Sequence, residues 1–199
     1  MLLFDRGFGQ HVGRYVFQCA MATVSMALIL LVLDFLGNAA VVASLGASCF
    51  IVFGAPRANL SRPRYLLGGY AVGLACGSLC YWLWQVPWVD QALGIPGHPH
   101  VVAGAAAVGL AIFVMVITDT EHPPAAGVAL GLVMGEWAVQ TVLIVAVGIG
   151  ALALIRTFMR PIMINLVDVA QYRAGADAAP GRGDAPPAPT PADRQGDGP

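Results

Sequence analysis

Lysine is absent from this sequence, so all ten of its cationic side chains are arginines. Charged residues of both signs make up only 11% of the chain, where an ordinary soluble domain carries about 25%. The formal net charge is −1 at pH 7, and without a basic face the chain offers nothing to nucleic acid. Cys-x-x-Cys pairs are missing too. Cys19, Cys49, Cys76 and Cys80 all lie in apolar runs, where a thiol behaves as a small hydrophobe, so neither a disulfide nor a metal site is expected. No Walker loop, dinucleotide fingerprint or nucleophile elbow occurs, which argues against an enzyme and against a cofactor.

What the chain has is apolar length. Its hydrophobic fraction is 58% and its mean hydropathy +0.74. Uncharged runs cover residues 15–33, 35–56, 65–89, 101–118 and 137–155. Runs near 20 residues match the roughly 30 Å apolar thickness of a bilayer. The fold class expected is therefore all-α, a polytopic membrane helix bundle. The lipid bilayer is its first partner. The N-terminus does not read as a cleavable signal, because Arg14 opens the first span and no h-region precedes Ala20-Met21-Ala22.

In order, residues 1–14 read as an N-terminal tail and 15–160 as the transmembrane domain. Residues 161–173 read as a short interfacial helix, and 174–199, rich in Ala, Pro, Gly and Asp, as a disordered tail. Membrane segments are expected at residues 15–33, 39–53, 65–84, 101–118, 124–134 and 138–155. Gly69, Gly73 and Gly77 recur every four residues, as do Gly127, Gly131 and Gly135. Such faces let a neighbouring helix approach closely, within the chain or in a homo-oligomer. Trp82, Trp84 and Trp88 mark a water interface.

The arginines set the orientation. Arg6 and Arg14, the loop holding Arg57, Arg62 and Arg64, and the pair Arg156 and Arg160 should share the cytoplasmic side of an inner membrane, with both termini there. That parity holds only if the short segment 124–134 also crosses, at least in part. Six segments then read long, short, long twice, a 3+3 inverted repeat with two short broken segments. Such breaks at matching positions point to a transport site near the membrane midplane.

One of these breaks is Thr118-Asp119-Thr120-Glu121-His122-Pro123-Pro124-Ala125-Ala126-Gly127. Two prolines cannot sit inside a helix, His122 is pushed toward extended backbone by Pro123, and Pro124 suits a first helical turn. The N–H groups of Ala125, Ala126 and Gly127 could cradle an anion at the helix start. His122 could donate a hydrogen bond or relay a proton. Gly46, Ala47 and Ser48 would face this site from the other short segment. Asp119 and Glu121 lie beside it either as interface groups, as partners of the arginine loop, or as a proton or cation pathway. His122 could equally be a capping residue in a rigid helix break.

The His122-Pro123-Pro124-Ala125-Ala126-Gly127 run resembles the signature of the HPP family of integral membrane proteins. Ser44-Leu45-Gly46-Ala47-Ser48, with Phe53-Gly54-Ala55-Pro56, Arg62-Pro63-Arg64 and Gly68-Gly69, is similar to the family's other recurrent stretch. The resemblance spans about residues 14–155. It implies at least four membrane segments, and a link of some members to nitrite transport in chloroplasts and cyanobacteria. Some members add cytoplasmic CBS domains. Asp119 and Glu121 stand near where many members have a basic residue, and Tyr65 and Tyr70 where many have Asn and His. The resemblance implies a channel or secondary transporter for a small inorganic anion, with nitrite as the example. A cation or proton-coupled carrier using Asp119, Glu121 and His122, and a non-transporting membrane scaffold, are the alternatives.

Overall fold

The structure, a computed structural model, describes residues 8–33, 38–95, 100–135 and 137–167. Every regular element among them is helical: α1 (Phe8–Leu33), α2 (Ala39–Gly54), α3 (Pro63–Trp84), α4 (Pro87–Leu93), α5 (Val101–Ile117), α6 (Pro123–Met134) and α7 (Val139–Met159), with a 3-10 turn at Asn59–Ser61. By length and composition, α3 and α7 can each cross a membrane. At about 1.5 Å per residue, the 16 residues of α2 and the 12 of α6 are each shorter than a bilayer's apolar core.

Helix α6 is the centre of the bundle. It packs on α3, α5 and α2, while α3 also packs on α5 and α7, α1 on α2 and α7, and α2 on α7. Two glycine ladders let α6 sit this deep. Along α3, a methyl added at Gly73 would run into the Ala125 carbonyl, and one at Gly77 would lie 2.8 Å from the Ala129 backbone. Along α6 itself, a methyl at Gly127 would strike Ser44 Oγ and one at Gly131 would lie 2.8 Å from Val41. Both glycine faces are thus filled by helices of the same chain. They are not free for the homo-oligomer contact that their spacing also allows.

The ladders give α6 a direction. Thr120 and His122 lie against Gly68 and Gly69, Ala125 against Gly73 and Ala129 against Gly77, so α6 runs parallel to α3. Against α2 it runs the other way: Gly127 meets Ser44, and Gly131 meets Val41 and Asn38. The Asn38 amide donates to the Gly131 carbonyl (2.7 Å), while its oxygen caps α2 at Val41 N (3.3 Å). Beyond α6, Trp137 Nε1 donates to Ser78 Oγ (3.0 Å) and its ring stacks on Tyr81 (centroids 6.2 Å apart). Helix α7 then returns to bring Arg156 to the Pro56 carbonyl (2.9 Å). So α6 carries the chain away from the arginine-rich loop, and α7 carries it back.

Two sequence readings are corrected here. Helix α1 begins at Phe8, inside the stretch read as a tail. Residues 161–167 form a turn and irregular backbone, not an interfacial helix. Pro161 ends the helical run, and the following backbone finds partners elsewhere. Leu166 N and Val167 N both donate to the Gly54 carbonyl (2.8 and 3.2 Å). Gln18 bonds both ways to Ile164 and donates to the Phe53 carbonyl (2.7 Å). The segment therefore straps the end of α2 to α1. The rest of 161–173, and all of 174–199, lie outside the described residues, and so do residues 1–7 of the expected tail. Helix α4, in the loop after α3, has no counterpart in the sequence reading.

Candidate functional site

The start of α6 meets the middle of α2. His122 is extended (φ −140°, ψ 91°), caps α6 and is 1% exposed. Its Nε2 lies 2.8 Å from Ser48 Oγ, nearly two turns before the end of α2. Its Nδ1 lies 3.1 Å from the Leu60 carbonyl, in the 3-10 turn of the arginine loop. Ser48 Oγ is also 2.8 Å from the Tyr70 hydroxyl, which donates in turn to the Ser44 carbonyl at 3.0 Å. The Tyr70 ring leans on the imidazole, with centroids 5.6 Å apart.

A carbonyl only accepts, so Nδ1 carries a proton and donates to Leu60. In the neutral ring Nε2 then accepts from Ser48, and the single Tyr70 proton goes to Ser48 or to Ser44. In the charged ring the Ser48 bonds turn round: Nε2 donates to Ser48 and Ser48 to Tyr70, while Tyr70 donates to Ser44 and Nδ1 to Leu60 as before. Both states satisfy the imidazole. In the connection between α5 and α6 where it lies, burial presses the pKa of the ring below its ordinary value, only partly opposed by the Leu60 carbonyl. The neutral state is the one favoured at pH 7.

Of the expected site residues, Ser48 and His122 are brought into contact. Gly46 and Ala47 are not. A helix turns about 100° per residue, so with Ser48 inward Ala47 is exposed, and a methyl at Gly46 would meet nothing within 4 Å. The expected amide cradle is narrowed as well. Pro123 and Pro124 occupy the first helical positions and have no N–H. The Ala125 N–H is taken by the His122 carbonyl at 2.8 Å. Gly127 lies a full turn into the helix, where an amide bonds the preceding turn. Gly127 serves instead as the gap that admits Ser44.

Asp119 stands apart from this network. It pairs with Arg64 (3.1 Å) at an exposed position and accepts from the Tyr65 hydroxyl (3.0 Å). Its φ of 52° is left-handed, a conformation that Asp tolerates better than most residues. Glu121 lines a cavity of about 260 Å³ with His122, Pro123 and Ala126 on one side and Ile112, Met115 and Val116 of α5 on the other. That cavity adjoins α5, not the Ser48 face of α2.

Sequence reasoning missed three contributors. Ser44 belongs to the quoted motif and lies one turn before Ser48, which was its signal. Tyr70 follows Gly69 on the face of α3 that meets α6. Arg156 was read only for orientation, yet it is 5% exposed inside the bundle.

The model of the HPP transmembrane region matches residues 9–171, and the chain belongs to this family. Two relatives are transmembrane proteins of Dictyostelium discoideum. One is 35% identical over 94 residues, covering 47% of this chain and 30% of the relative. The other is 34% identical over 117 residues, covering 57% and 35%. The chain thus spans about a third of the length of these relatives. No solved structure matches it.

Proposed function

We propose that this member of the HPP transmembrane family is a channel or secondary transporter for a small inorganic anion, nitrite being the family-based example. One observation carries the reading. The buried polar side chains of the described bundle are Gln18, Ser25, Ser44, Ser48, Ser61, His122 and Arg156. They are hydroxyls, an amide, an imidazole and a guanidinium, with no carboxylate among them. A route for cations would need buried acceptors of negative charge, whereas donors and a cation suit an anion. Of the two carboxylates of the alternative carrier, Asp119 is at the surface and neutralised by Arg64, and Glu121 lines the cavity against α5, away from Ser48.

The architecture proposed is six membrane segments, α1, α2, α3, α5, α6 and α7, as an inverted repeat. Exchanging α1 with α5, α2 with α6 and α3 with α7 turns every packing pair named above for these six helices into itself or into another of them. The antiparallel course of α2 and α6 has the sense that an in-plane two-fold axis requires. In this reading Ser48–His122 is the shut junction between the two short helices, and passage requires it to part. The protein would lie in the inner membrane, with the arginine loop and both termini cytoplasmic.

The test is flux in proteoliposomes. Uptake of nitrite or nitrate above that of protein-free vesicles, insensitive to replacing sodium by potassium, supports the reading. Uptake of cations with none of anions refutes it.

A further inference from the structure

We propose that Arg156 anchors an oxyanion-binding site at the arginine-rich end of the bundle. Its side chain is buried in the last turn of α7, with 5% exposure. Nη2 donates to the Pro56 carbonyl at 2.9 Å. Nε is buried with no hydrogen-bond partner. No carboxylate pairs with it among the described residues, whose ion pair is Arg64–Asp119. Its charged neighbours are Arg62 and Arg160, which oppose its charge.

A buried guanidinium costs several kcal/mol of desolvation unless it is paired, and an orphaned buried donor requires a reason. The negative end of α7 offsets only part of that cost. Asp119 pairs with Arg64 at the surface, not with Arg156. The guanidinium keeps its Nε–H, and the planar edge formed by Nε and Nη2 is the one that fits the paired oxygens of nitrite, nitrate or phosphate. Arg62 and Arg160 add the positive field that draws such a group in. Pro56, which holds the guanidinium, follows the end of α2, so occupancy of the site bears on the short helix that carries Ser48. A free anion and the phosphate of an anionic lipid share this chemistry.

The site deepens the anion reading, because it names a residue that would hold the solute. The two can fail separately. The experiment is thermal unfolding of the purified full-length protein in neutral detergent, titrated with sodium nitrite, nitrate or phosphate against chloride at equal ionic strength. Phosphatidylglycerol is titrated against phosphatidylcholine in parallel. Saturable stabilisation by the oxyanion is expected in the wild type and not in Arg156→Gln. Arg156→Lys, which keeps the charge but loses the planar fork, should bind at least about tenfold more weakly. Without anion, Arg156→Gln should unfold at or above the wild-type temperature, because an uncompensated charge has gone. Response to the small anions without lipid assigns a free solute. Response to phosphatidylglycerol alone keeps the oxyanion site but removes it from the transport reading. Silence of the wild type to both, or an equal response in Arg156→Gln, overturns the proposal. Anion uptake that persists in Arg156→Gln removes this site from the route while leaving transport standing.

Discussion

Ser48 Oγ and His122 Nε2 are 2.8 Å apart across 74 residues of sequence, and both side chains are buried. This bond ties the start of α6 to the middle of α2. It also links Tyr70, the Leu60 carbonyl and Ser44 into one chain of donors and acceptors. The expectations that follow concern what holds this junction shut and what crosses it.

Ser48→Ala leaves a buried imidazole nitrogen and the Tyr70 hydroxyl short of a partner. An unsatisfied buried group costs about 1–3 kcal/mol. Thermal unfolding in detergent should show a loss of that size. Combining Ser48→Ala with Tyr70→Phe should cost less than the sum of the two, because they share one network.

Stability should fall on acidification through this histidine. A folded-state pKa below the unfolded value of about 6.5 means that the folded form binds fewer protons. Its contribution is complete above the unfolded value and is lost as pH drops toward the folded one. His122→Asn should flatten that part of the curve. Unfolding midpoints measured between pH 8 and pH 4.5 check it.

Gly73→Ala should destabilise and Gly46→Ala should not. The first drives a methyl into the Ala125 carbonyl, and the second opens into space. Overpacking costs about 1–3 kcal/mol, whereas alanine in place of an open helical glycine gains up to about 1 kcal/mol. Opposite shifts of the unfolding temperature are expected.

Much of this was legible in the sequence, because it rests on periodicity and punctuation. The apolar runs mark α2, α3, α5, α6 and α7 to within a few residues, and the arginine positions anticipate that Arg156 returns beside the Arg57–Arg64 loop. The two prolines gave the break at His122. What could not be read was which residues of α2 face it. Gly46, Ala47 and Ser48 are equal in a string, and only the packing of α6 against Ser44 and Val41 selects Ser48. The amide cradle is narrower than expected for a local reason: the prolines that start the helix carry no N–H, and the next amide, Ala125, bonds the His122 carbonyl. Arg156 was hidden because a basic residue at the end of an apolar run is ordinarily an interfacial anchor, and its contact with the Pro56 carbonyl joins residues 100 positions apart.

Asp119→Asn should leave the fold almost unchanged. The Arg64 pair is exposed on both sides, and such pairs contribute about 0–1 kcal/mol. Asp119→Val should cost more, because a β-branched residue resists the left-handed backbone at this position. Parallel melts of the two variants separate charge from conformation.

The most direct measurement of the central claim is nitrite uptake by proteoliposomes holding wild type, Ser48→Ala, His122→Ala or Asp119→Asn, each checked as folded by size-exclusion chromatography. The account expects uptake in the wild type and in Asp119→Asn. In the two junction variants the rate should change by about tenfold or more, roughly 1.4 kcal/mol on the barrier. Wild-type rates in both junction variants, with transport abolished in Asp119→Asn, would contradict it.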